Sequence, residues 1–396
     1  MIIRSQMNAM KTIDEYVSCF TDKKVDYFDY AATTFMPQKV IESWVEYQNN
    51  IGIYYGKGNN ILADKSYNIY LDSEKSIFNH FDVSCDYKLI YGKNVTELIN
   101  IITLSLGERI RPMDVILIGP YEHHSNILPW KYLARRTGAI FIEMPLTIND
   151  EIDWSYLEKI KKKVKIVAVS SASNTNGFKV DVEKVCSIFS ESLIFVDESQ
   201  MVAHSSIAKN DRVTAHFLSS HKMYGPKNIA GAFVKKEFLD DISPVFLGGG
   251  MVETVSLEDT WKKCEKKFEA GTVDIGLISA WAKACEFVTD IGYDRINEID
   301  HYCFTKVYDV LASNPDVRIV SKVNDCKSLI SFVNNKKHAH DIEYRLAENN
   351  IVIRSGNMCA QPSIRKMGKF AINRISFGIG VSEKNIENLC RVLKEV

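Results

Sequence analysis

The stretch from about residue 85 to residue 235 alternates short, mostly apolar runs with segments of helical pattern. The apolar runs have the length and composition of buried strands, and they lie at 87–91, 115–118, 139–143, 165–169 and 193–196. Segments with helical periodicity separate them, at 94–106, 127–136, 154–163 and 182–189. Strands that alternate with helices predict an α/β fold with a mostly parallel, wound sheet.

The pattern changes after about residue 265. A long helical pattern covers 274–313, and shorter strand-like and helical runs follow at 317–320, 328–333, 341–348, 351–354 and 382–396. This mixture is typical of a smaller α+β domain. We therefore expect three parts: an N-terminal segment at 1–25 that packs on the small domain, a large domain at 26–265 and a small C-terminal domain at 266–396.

The chain has 396 residues and is 46% hydrophobic, which is enough for a large buried core. Its 49 Lys and Arg residues balance 50 Asp and Glu residues, so neither a nucleic-acid partner nor a disordered chain is indicated. No stretch approaches the roughly 18 uncharged apolar residues of a membrane span. These properties favour a buried site for a small molecule, with no nucleic-acid or membrane partner.

Nine cysteines are scattered along the chain, and no two of them form a Cys-x-x-Cys pair. This spacing argues against a zinc site, a thioredoxin-type motif and a secreted disulfide framework. Residues 1–11 lack the apolar core of a signal peptide. We therefore expect a cytoplasmic protein with reduced thiols.

Ligands of wound parallel sheets bind at the carboxyl ends of the strands, so polar residues there are candidates for chemistry. Asp197 ends an apolar run, and its carboxylate could keep a pyridine nitrogen protonated; the alternative is a turn or cap residue. Lys222 lies on a turn and could form a Schiff base if its pKa is lowered; the alternative is a surface lysine. The adjacent Ser219 and His221 could hold a phosphate.

Three further strand ends carry polar residues. Thr96 lies where a helix starts, which indicates either a phosphate site or a capped helix with nothing bound. His123 could stack on a flat cofactor, and its neighbour His124 suggests a metal site, but no third ligand follows at a suitable spacing. The amide of Asn174 could donate to a cofactor oxygen. Five polar clusters at five strand ends of one sheet predict a cofactor site.

The order of these motifs resembles that of the class V aminotransferase group of pyridoxal 5′-phosphate (PLP) enzymes. Within that group the chain is most similar to the type II cysteine desulfurases, which include selenocysteine lyases. The matching segments span nearly the whole chain, at 27–34, 122–126, 219–226, 248–251, 254–256, 268–272, 352–360 and 374–377. The resemblance implies the type I fold of PLP-dependent transferases, with a large PLP-binding domain.

The resemblance also implies roles for individual residues. Lys222 would carry PLP and move protons, Asp197 would pair with the pyridine nitrogen, and His123 would stack on the ring. The remaining cofactor ligands would be Gln200, Asn174, Val95, Thr96, Ser219 and His221, with Thr272 reaching into the partner subunit's site in a homodimer.

The substrate side of the family site is implied in the same way. Arg374 would bind the substrate α-carboxylate as a bidentate ion pair, beside Asn174, Ala32 and Arg354. Cys359 would attack the sulfur of bound L-cysteine, which would leave alanine and a persulfide for a possible acceptor protein. Without the motif, a single cysteine is usually a small buried hydrophobic residue.

Some residues depart from the family pattern. Glu198 and Ser199 replace small residues, and an inward-pointing Glu198 would repel a substrate carboxylate. Asn357 and Met358 stand where titratable residues often precede the cysteine, and Gly378–Gly380 replaces a more polar stretch. These departures leave open another class V reaction, such as that of a C–S lyase, a selenocysteine lyase or an epimerase. A catalytically silent protein with the PLP-enzyme fold is a third alternative.

Overall fold

The computed structural model describes residues 13–14, 16–55, 60–107, 109–322 and 325–395. Residues 1–12 and 15 of the predicted N-terminal segment therefore lie outside the described residues. The strands are β1 (Asp26–Tyr27), β2 (Tyr87–Gly92), β3 (Val115–Ile118), β4 (Ile140–Glu143), β5 (Val164–Ser170), β6 (Leu193–Asp197), β7 (Ala215–Ser219), β8 (Ala230–Lys235), β9 (Val252–Thr254), β10 (Thr260–Trp261), β11 (Val317–Ile319), β12 (Leu329–Asn334), β13 (Ile351–Val352), β14 (Arg354–Gly356) and β15 (Ile372–Ser376). The α-helices are α1 (Gln38–Asn50), α2 (Ile61–Phe81), α3 (Val95–Ser105), α4 (Leu128–Thr137), α5 (Trp154–Ile160), α6 (Val182–Ile188), α7 (Lys236–Asp241), α8 (Ile275–Ile291), α9 (Tyr293–Ala312), α10 (Ala339–Ala347), α11 (Gln361–Lys366) and α12 (Glu383–Leu393).

Within these ranges, seven strands form the large sheet in the order β2-β8-β7-β6-β5-β3-β4. Strand β8 is antiparallel to both of its neighbours, and the β6–β7, β5–β6, β3–β5 and β3–β4 pairs are parallel. The five strands expected from the apolar runs are present, and their ends differ from the prediction by at most one residue. The α/β fold with a mostly parallel sheet is therefore confirmed.

Strands β7 and β8 and helices α1 and α2 were not predicted. Strand β7 contains His216, and β8 begins with Ala230 and Gly231, so neither shows a run of large apolar residues. Both strands are buried along nearly their whole length because they lie inside the sheet. Their neighbours in the sheet, rather than their own composition, account for their conformation.

Strands β2, β3, β5, β6 and β7 point in the same direction, so their carboxyl ends lie at one edge of the sheet. The segments that follow these strands are the ones in which polar residues were predicted to converge. The fold thereby brings five distant parts of the sequence to one edge, where wound sheets bind their ligands.

The C-terminal part contains a four-stranded antiparallel sheet in the order β11-β12-β15-β14. The single helical stretch predicted at 274–313 is wrong, because α8 and α9 are separate helices that meet at Gly292. The φ angle of Gly292 is +81°, a conformation with which a right-handed helix cannot continue. The strand predicted at 351–354 is also divided: β13 pairs with β1, whereas β14 pairs with β15.

Elements from the N-terminal and C-terminal parts of the described residues share one large core. Strand β1 pairs in parallel with β13, and α8 packs against α1 and α2. The core that joins these elements includes Phe28, Tyr224, Trp281, Phe332 and Phe377. Because this core extends across the expected limits at 25/26 and 265/266, the domain boundaries remain a prediction. None of the helices in the described ranges has both the length and the apolar character needed to span a membrane.

Candidate active site

A cavity of about 330 Å³ lies at the carboxyl edge of the large sheet. Thirteen of the predicted site residues line it: Ala32, Val95, Thr96, His123, Asn174, Asp197, Gln200, Ser219, His221, Lys222, Arg354, Cys359 and Arg374. The lining also includes Ala31, Asn94, Ser170 and Ala172, to which no role was assigned from the sequence, although each lies within a predicted motif or within two residues of a strand end. Thr272 is exposed and outside this lining, so its role in a partner subunit's site stays a prediction.

Lys222 lies on the single turn Ser220–Lys222 that follows β7. The turn folds back tightly, since a Cβ atom on Gly225 would lie 2.1 Å from Oγ of Ser220. Burial lowers the pKa of Lys222 to about 8, although the nearby Asp197 opposes this shift. A lysine with such a pKa has a substantial neutral fraction near neutral pH, which is the form that attacks a carbonyl group.

Asp197 ends β6 at the floor of the cavity and is buried. The N–H of Ser199 donates to its carboxylate at 2.9 Å. Burial raises the pKa of Asp197, while its contacts with Ser199 and the charge of Lys222 lower it. A buried carboxylate at this position is suited to a cationic or N–H partner in the cavity.

Helix α3 points its N-terminus at another corner of the cavity. Asn94 caps this helix by accepting from the N–H of Glu97, and the first N–H groups of a helix lack intrahelical partners. The hydroxyl groups of Thr96 and Ser219 and the ring of His221 lie around the same cavity. These donors form a corner that suits a phosphate group.

His221 and His123 are both held by hydroxyl groups. Nδ1 of His221 lies 3.1 Å from Oγ1 of Thr33, and burial lowers the pKa of His221 to about 4. Nδ1 of His123 lies 3.0 Å from Oγ of Ser125. It also accepts from the N–H of Ser125 at 3.1 Å, which places the ring proton on Nε2. Burial lowers the pKa of His123 to about 3, so its ring is neutral and can stack on a flat cofactor.

The loop that carries His123 is anchored by Glu122, which is fully enclosed beneath it. Oε1 of Glu122 accepts from the N–H of Ser170 at 2.7 Å, and Oε2 accepts from Oγ of Ser170 at 2.5 Å and from Nδ2 of Asn126 at 2.8 Å. The Oδ1 atom of Asn126 in turn accepts from the indole of Trp130. Burial raises the pKa of Glu122 to about 7 despite these bonds.

This pKa predicts a pH-dependent effect of Glu122→Gln on stability. Well above pH 7 the carboxyl is ionised in both the folded and the unfolded chain, and well below pH 4.5 it is neutral in both. Between these limits the folded chain binds the extra proton, so the contribution of Glu122 to the free energy of unfolding falls as pH rises. A change from 4.5 to about 7 corresponds to about 3 kcal/mol at about 1.4 kcal/mol per pKa unit.

We therefore expect Glu122→Gln to cost more stability at pH 5 than at pH 8. Urea unfolding of both proteins at the two pH values measures the difference between their free energies of unfolding. Groups that titrate in both proteins contribute equally and cancel in this difference. An equal cost at both pH values would contradict the raised pKa.

The opposite side of the cavity carries two arginines around one carboxylate. Nη2 of Arg374 donates to Oδ1 of Asp29 at 2.5 Å, and its Nη1 donates to the carbonyl of Asn174 at 2.9 Å. Nη1 of Arg354 lies 3.8 Å from Oδ2 of Asp29. Nε of Arg374 and Oδ1 of Asn174 are buried without a hydrogen-bond partner. This corner has an excess of positive charge, so it suits an anion such as a carboxylate.

Cys359 lies at the rim of the same cavity, and its side chain is exposed. Met358 and Cys359 both have left-handed backbone conformations, with φ angles of +54° and +53°. Met358 is buried, and its carbonyl accepts from Nδ2 of Asn174 at 2.8 Å. The carbonyl of Cys359 accepts from the N–H of His124 at 2.7 Å. These contacts hold the loop so that the thiol faces the cavity and solvent.

Two departures from the family pattern thus have a structural explanation. Met358 anchors the cysteine loop through its buried side chain, a function that needs no titratable group. Glu198 is buried and absent from the cavity lining, so its carboxylate does not point into the cavity. His124 accepts at Nε2 from the N–H of Gln361 at 3.1 Å and holds the start of α11. Among the described residues, no group of three or more His, Cys, Asp or Glu side chains is arranged to hold a metal ion.

The donor set fits PLP. The helix N-terminus with its hydroxyl groups suits the phosphate, the buried carboxylate of Asp197 suits a protonated pyridine nitrogen, and Lys222 suits the aldehyde. Nε of Arg374 and Oδ1 of Asn174, which have no hydrogen-bond partner, are available to bind a further ligand in the cavity.

Comparisons with known proteins agree with this assignment. The family model described as aminotransferase class-V matches residues 26–389. A cysteine desulfurase of Haloferax volcanii is 30% identical over 92% of this chain and 87% of its own length. A probable cysteine desulfurase of Streptomyces coelicolor is 31% identical over 94% of this chain and 92% of its own length.

Solved structures give the same result. The apo structure of a cysteine desulfurase from Thermococcus onnurineus has a TM-score of 0.89 and 29% identity, and 94% of each chain is covered. A cysteine desulfurase from Escherichia coli has a TM-score of 0.88 and 25% identity, with 97% of this chain and 98% of that chain covered. The predicted family, fold and cofactor are therefore confirmed: this chain belongs to the class V aminotransferase family of PLP-dependent enzymes, alongside relatives that are cysteine desulfurases.

Proposed function

We propose that this protein is a cysteine desulfurase that converts L-cysteine to L-alanine and keeps the removed sulfur as a persulfide on Cys359. The observation that carries the proposal is the position of Cys359. Its thiol lines the same cavity as Lys222, Asp197 and Arg374, and it is also exposed to solvent. A thiol in this position can reach a bound substrate on one side and an acceptor on the other.

The cofactor-binding residues have separate tasks in this proposal. Bound PLP supplies an electron-withdrawing ring that stabilises negative charge at the substrate α-carbon. Asp197 would hold the proton at the pyridine nitrogen, and the neutral ring of His123 would cover one face of the cofactor. Nζ of Lys222 binds the cofactor between turnovers and moves the proton of the α-carbon, for which a pKa of about 8 is well suited. Gln200 and Asn174 would contact the ring oxygen, and Val95, Thr96, Ser219 and His221 would hold the phosphate.

Arg374 binds the substrate α-carboxylate, with Arg354, Asn174 and Ala32 around it. Arg374 is only 2% exposed, and Asp29 and the carbonyl of Asn174 fix the orientation of its guanidinium. Asp29 compensates one of the two guanidinium charges, so the second remains for the substrate. This arrangement favours an α-amino acid over an amine without a carboxylate.

The sulfur step balances without an external oxidant. The Sγ thiolate of Cys359 attacks the substrate sulfur, so an S–S bond forms while the substrate Cβ–S bond breaks. The electron pair of the broken bond passes to the carbon, which takes up a proton and becomes the methyl group of alanine. The carbon is thereby reduced, and the transferred sulfur is oxidised to the sulfane level. The exposed persulfide then passes to an acceptor thiol, for which an acceptor protein is the proposed partner.

The enzyme is proposed to act as a homodimer in which Thr272 of each subunit reaches the other subunit's phosphate site. The exposure of Thr272 and its position outside the cavity of its own chain support this assignment. Size-exclusion chromatography with light scattering would measure the subunit number.

Product analysis tests the proposed function. We expect purified holoenzyme and L-cysteine to yield alanine, and sulfide in equal amount when a reductant is present. Without reductant, mass spectrometry should find one extra sulfur atom on the peptide that contains Cys359. If L-cysteine gives no alanine while another amino acid is turned over, the chain catalyses a different class V reaction.

A further inference from the structure

We propose that Glu198 and His216 form a buried positioning pair that sets how Asp197 and Lys222 face each other across the cofactor. This inference rests on the roles proposed above for Asp197 and Lys222. Neither member of the pair lines the cofactor cavity, and each is almost completely buried, with exposures of 1% and 3%. Both are therefore assigned an indirect role, and neither is placed among the catalytic residues.

The pair connects the two strands that carry the cofactor-facing groups. Nδ1 of His216 lies 3.1 Å from Oε1 of Glu198, and that same oxygen accepts from the N–H of Ala208 at 3.2 Å. Glu198 directly follows Asp197 at the end of β6, and His216 lies on β7, which leads to Lys222 six residues later. In the ladder between these strands, Val196 is the partner of His216.

A backbone hydrogen bond also joins the end of β6 to β7, next to the contact between Glu198 and His216. The N–H of Glu198 donates to the carbonyl of Phe217 at 2.9 Å. Besides the pairing of β6 with β7, two links therefore connect the segments that end in Asp197 and Lys222, one through the side chains and one through the backbone. Each link limits sliding of one strand end against the other, so a loss of the side-chain link would let the two cofactor-facing groups shift.

Glu198 also organises the turn that enters the cavity. Its carbonyl accepts from the N–H of Met201 at 2.8 Å and from that of Val202 at 3.1 Å. Ser199 and Gln200 lie within this turn and line the cavity. Successive side chains of an extended strand point to opposite sides, which is why Asp197 faces the cofactor site and Glu198 faces His216.

The negative charge of Glu198 also affects the cofactor-facing groups. The pKa of Asp197 is raised mainly by burial, and the negative charge of Glu198 adds to this increase. A negative charge beside the cofactor-binding groups stabilises protonated forms near it. Removal of this charge is therefore expected to move the titration of the bound cofactor to lower pH.

Two variants separate a positioning role from a purely structural one. Glu198→Gln keeps an oxygen that can accept from the N–H of Ala208 but removes the charge, and His216→Ala removes the partner. The matched control is Glu237→Gln, which neutralises an exposed glutamate at the start of α7. For each holoenzyme, the visible absorbance of bound PLP is titrated with pH without substrate, and kcat, KM and the thermal midpoint are measured.

We expect Glu198→Gln and His216→Ala to keep PLP, to shift the absorbance titration by about half a pH unit or more, and to lower kcat about tenfold with little change in KM. The shift for Glu198→Gln should be to lower pH, and the control should match the wild type. An unchanged titration and kcat in Glu198→Gln would overturn the proposal, even if its thermal midpoint fell. Because the titration uses no substrate, it tests the pair even if L-cysteine is not the substrate.

Discussion

Lys222→Ala is expected to lose at least about a thousandfold in turnover and all covalent attachment of PLP. Lys222 supplies the amine that binds the cofactor between turnovers and the base that moves the α-proton, so one substitution removes both functions. The remaining contacts of Asp197 and of the phosphate corner with the cofactor are unaffected. The variant should therefore still bind PLP, but without a covalent bond.

Borohydride reduction followed by denaturation and mass spectrometry measures the covalent attachment of PLP directly. The wild-type chain should retain the mass of reduced PLP on the peptide that contains Lys222, and the variant should release the cofactor. Lys227→Ala is the matched control, since Lys227 is an exposed lysine close by that does not line the cavity. Covalent PLP in Lys222→Ala would show that another lysine is the anchor, and it would also contradict the proposed site.

Cys359→Ala is expected to lose at least about a hundredfold in alanine formation from L-cysteine while it keeps the absorbance of bound PLP. The thiolate is the only nucleophile proposed for the substrate sulfur, and without it the Cβ–S bond has no acceptor for the sulfur. The Cys359 side chain is not among the proposed PLP ligands, so PLP binding should not change. Both residues are L-amino acids, so the left-handed conformation at this position is equally strained before and after the change.

The control for this substitution is Cys85→Ala, because Cys85 is exposed and does not line the cavity. Alanine formation and persulfide on the peptide of residue 359 are measured in both variants. Full activity in Cys359→Ala would exclude the persulfide mechanism. It would mean that the sulfur of L-cysteine leaves the same PLP site by a route that does not use Cys359.

The parallel sheet and the cofactor side of the site could be predicted because their signals are local. Each apolar run identifies a strand, and the polar residue that follows it lies at the carboxyl edge whatever the rest of the fold does. Asp197, His123, Asn174 and Lys222 were found in this way, and the structure brings them around one cavity. The order of the motifs then indicated the family.

Contacts between distant parts of the chain could not be predicted in the same way. Arg374 binds Asp29 across 345 residues, and the sequence contains no local signal for this ion pair. The break at Gly292 was missed because apolar periodicity continues through it, whereas the backbone requires a positive φ angle. Strand β7 was missed because its conformation depends on its neighbours in the sheet.

The sequence by itself determined the strands of the large sheet, the edge at which chemistry takes place and the residue types that meet there. The tertiary structure decided which way the adjacent side chains point. Glu198 could have faced the substrate, but it turns to His216, and Met358 anchors the loop that exposes Cys359. The physical reason is that local composition selects secondary structure, whereas a buried polar or charged group must find its partner in space, often far away in sequence.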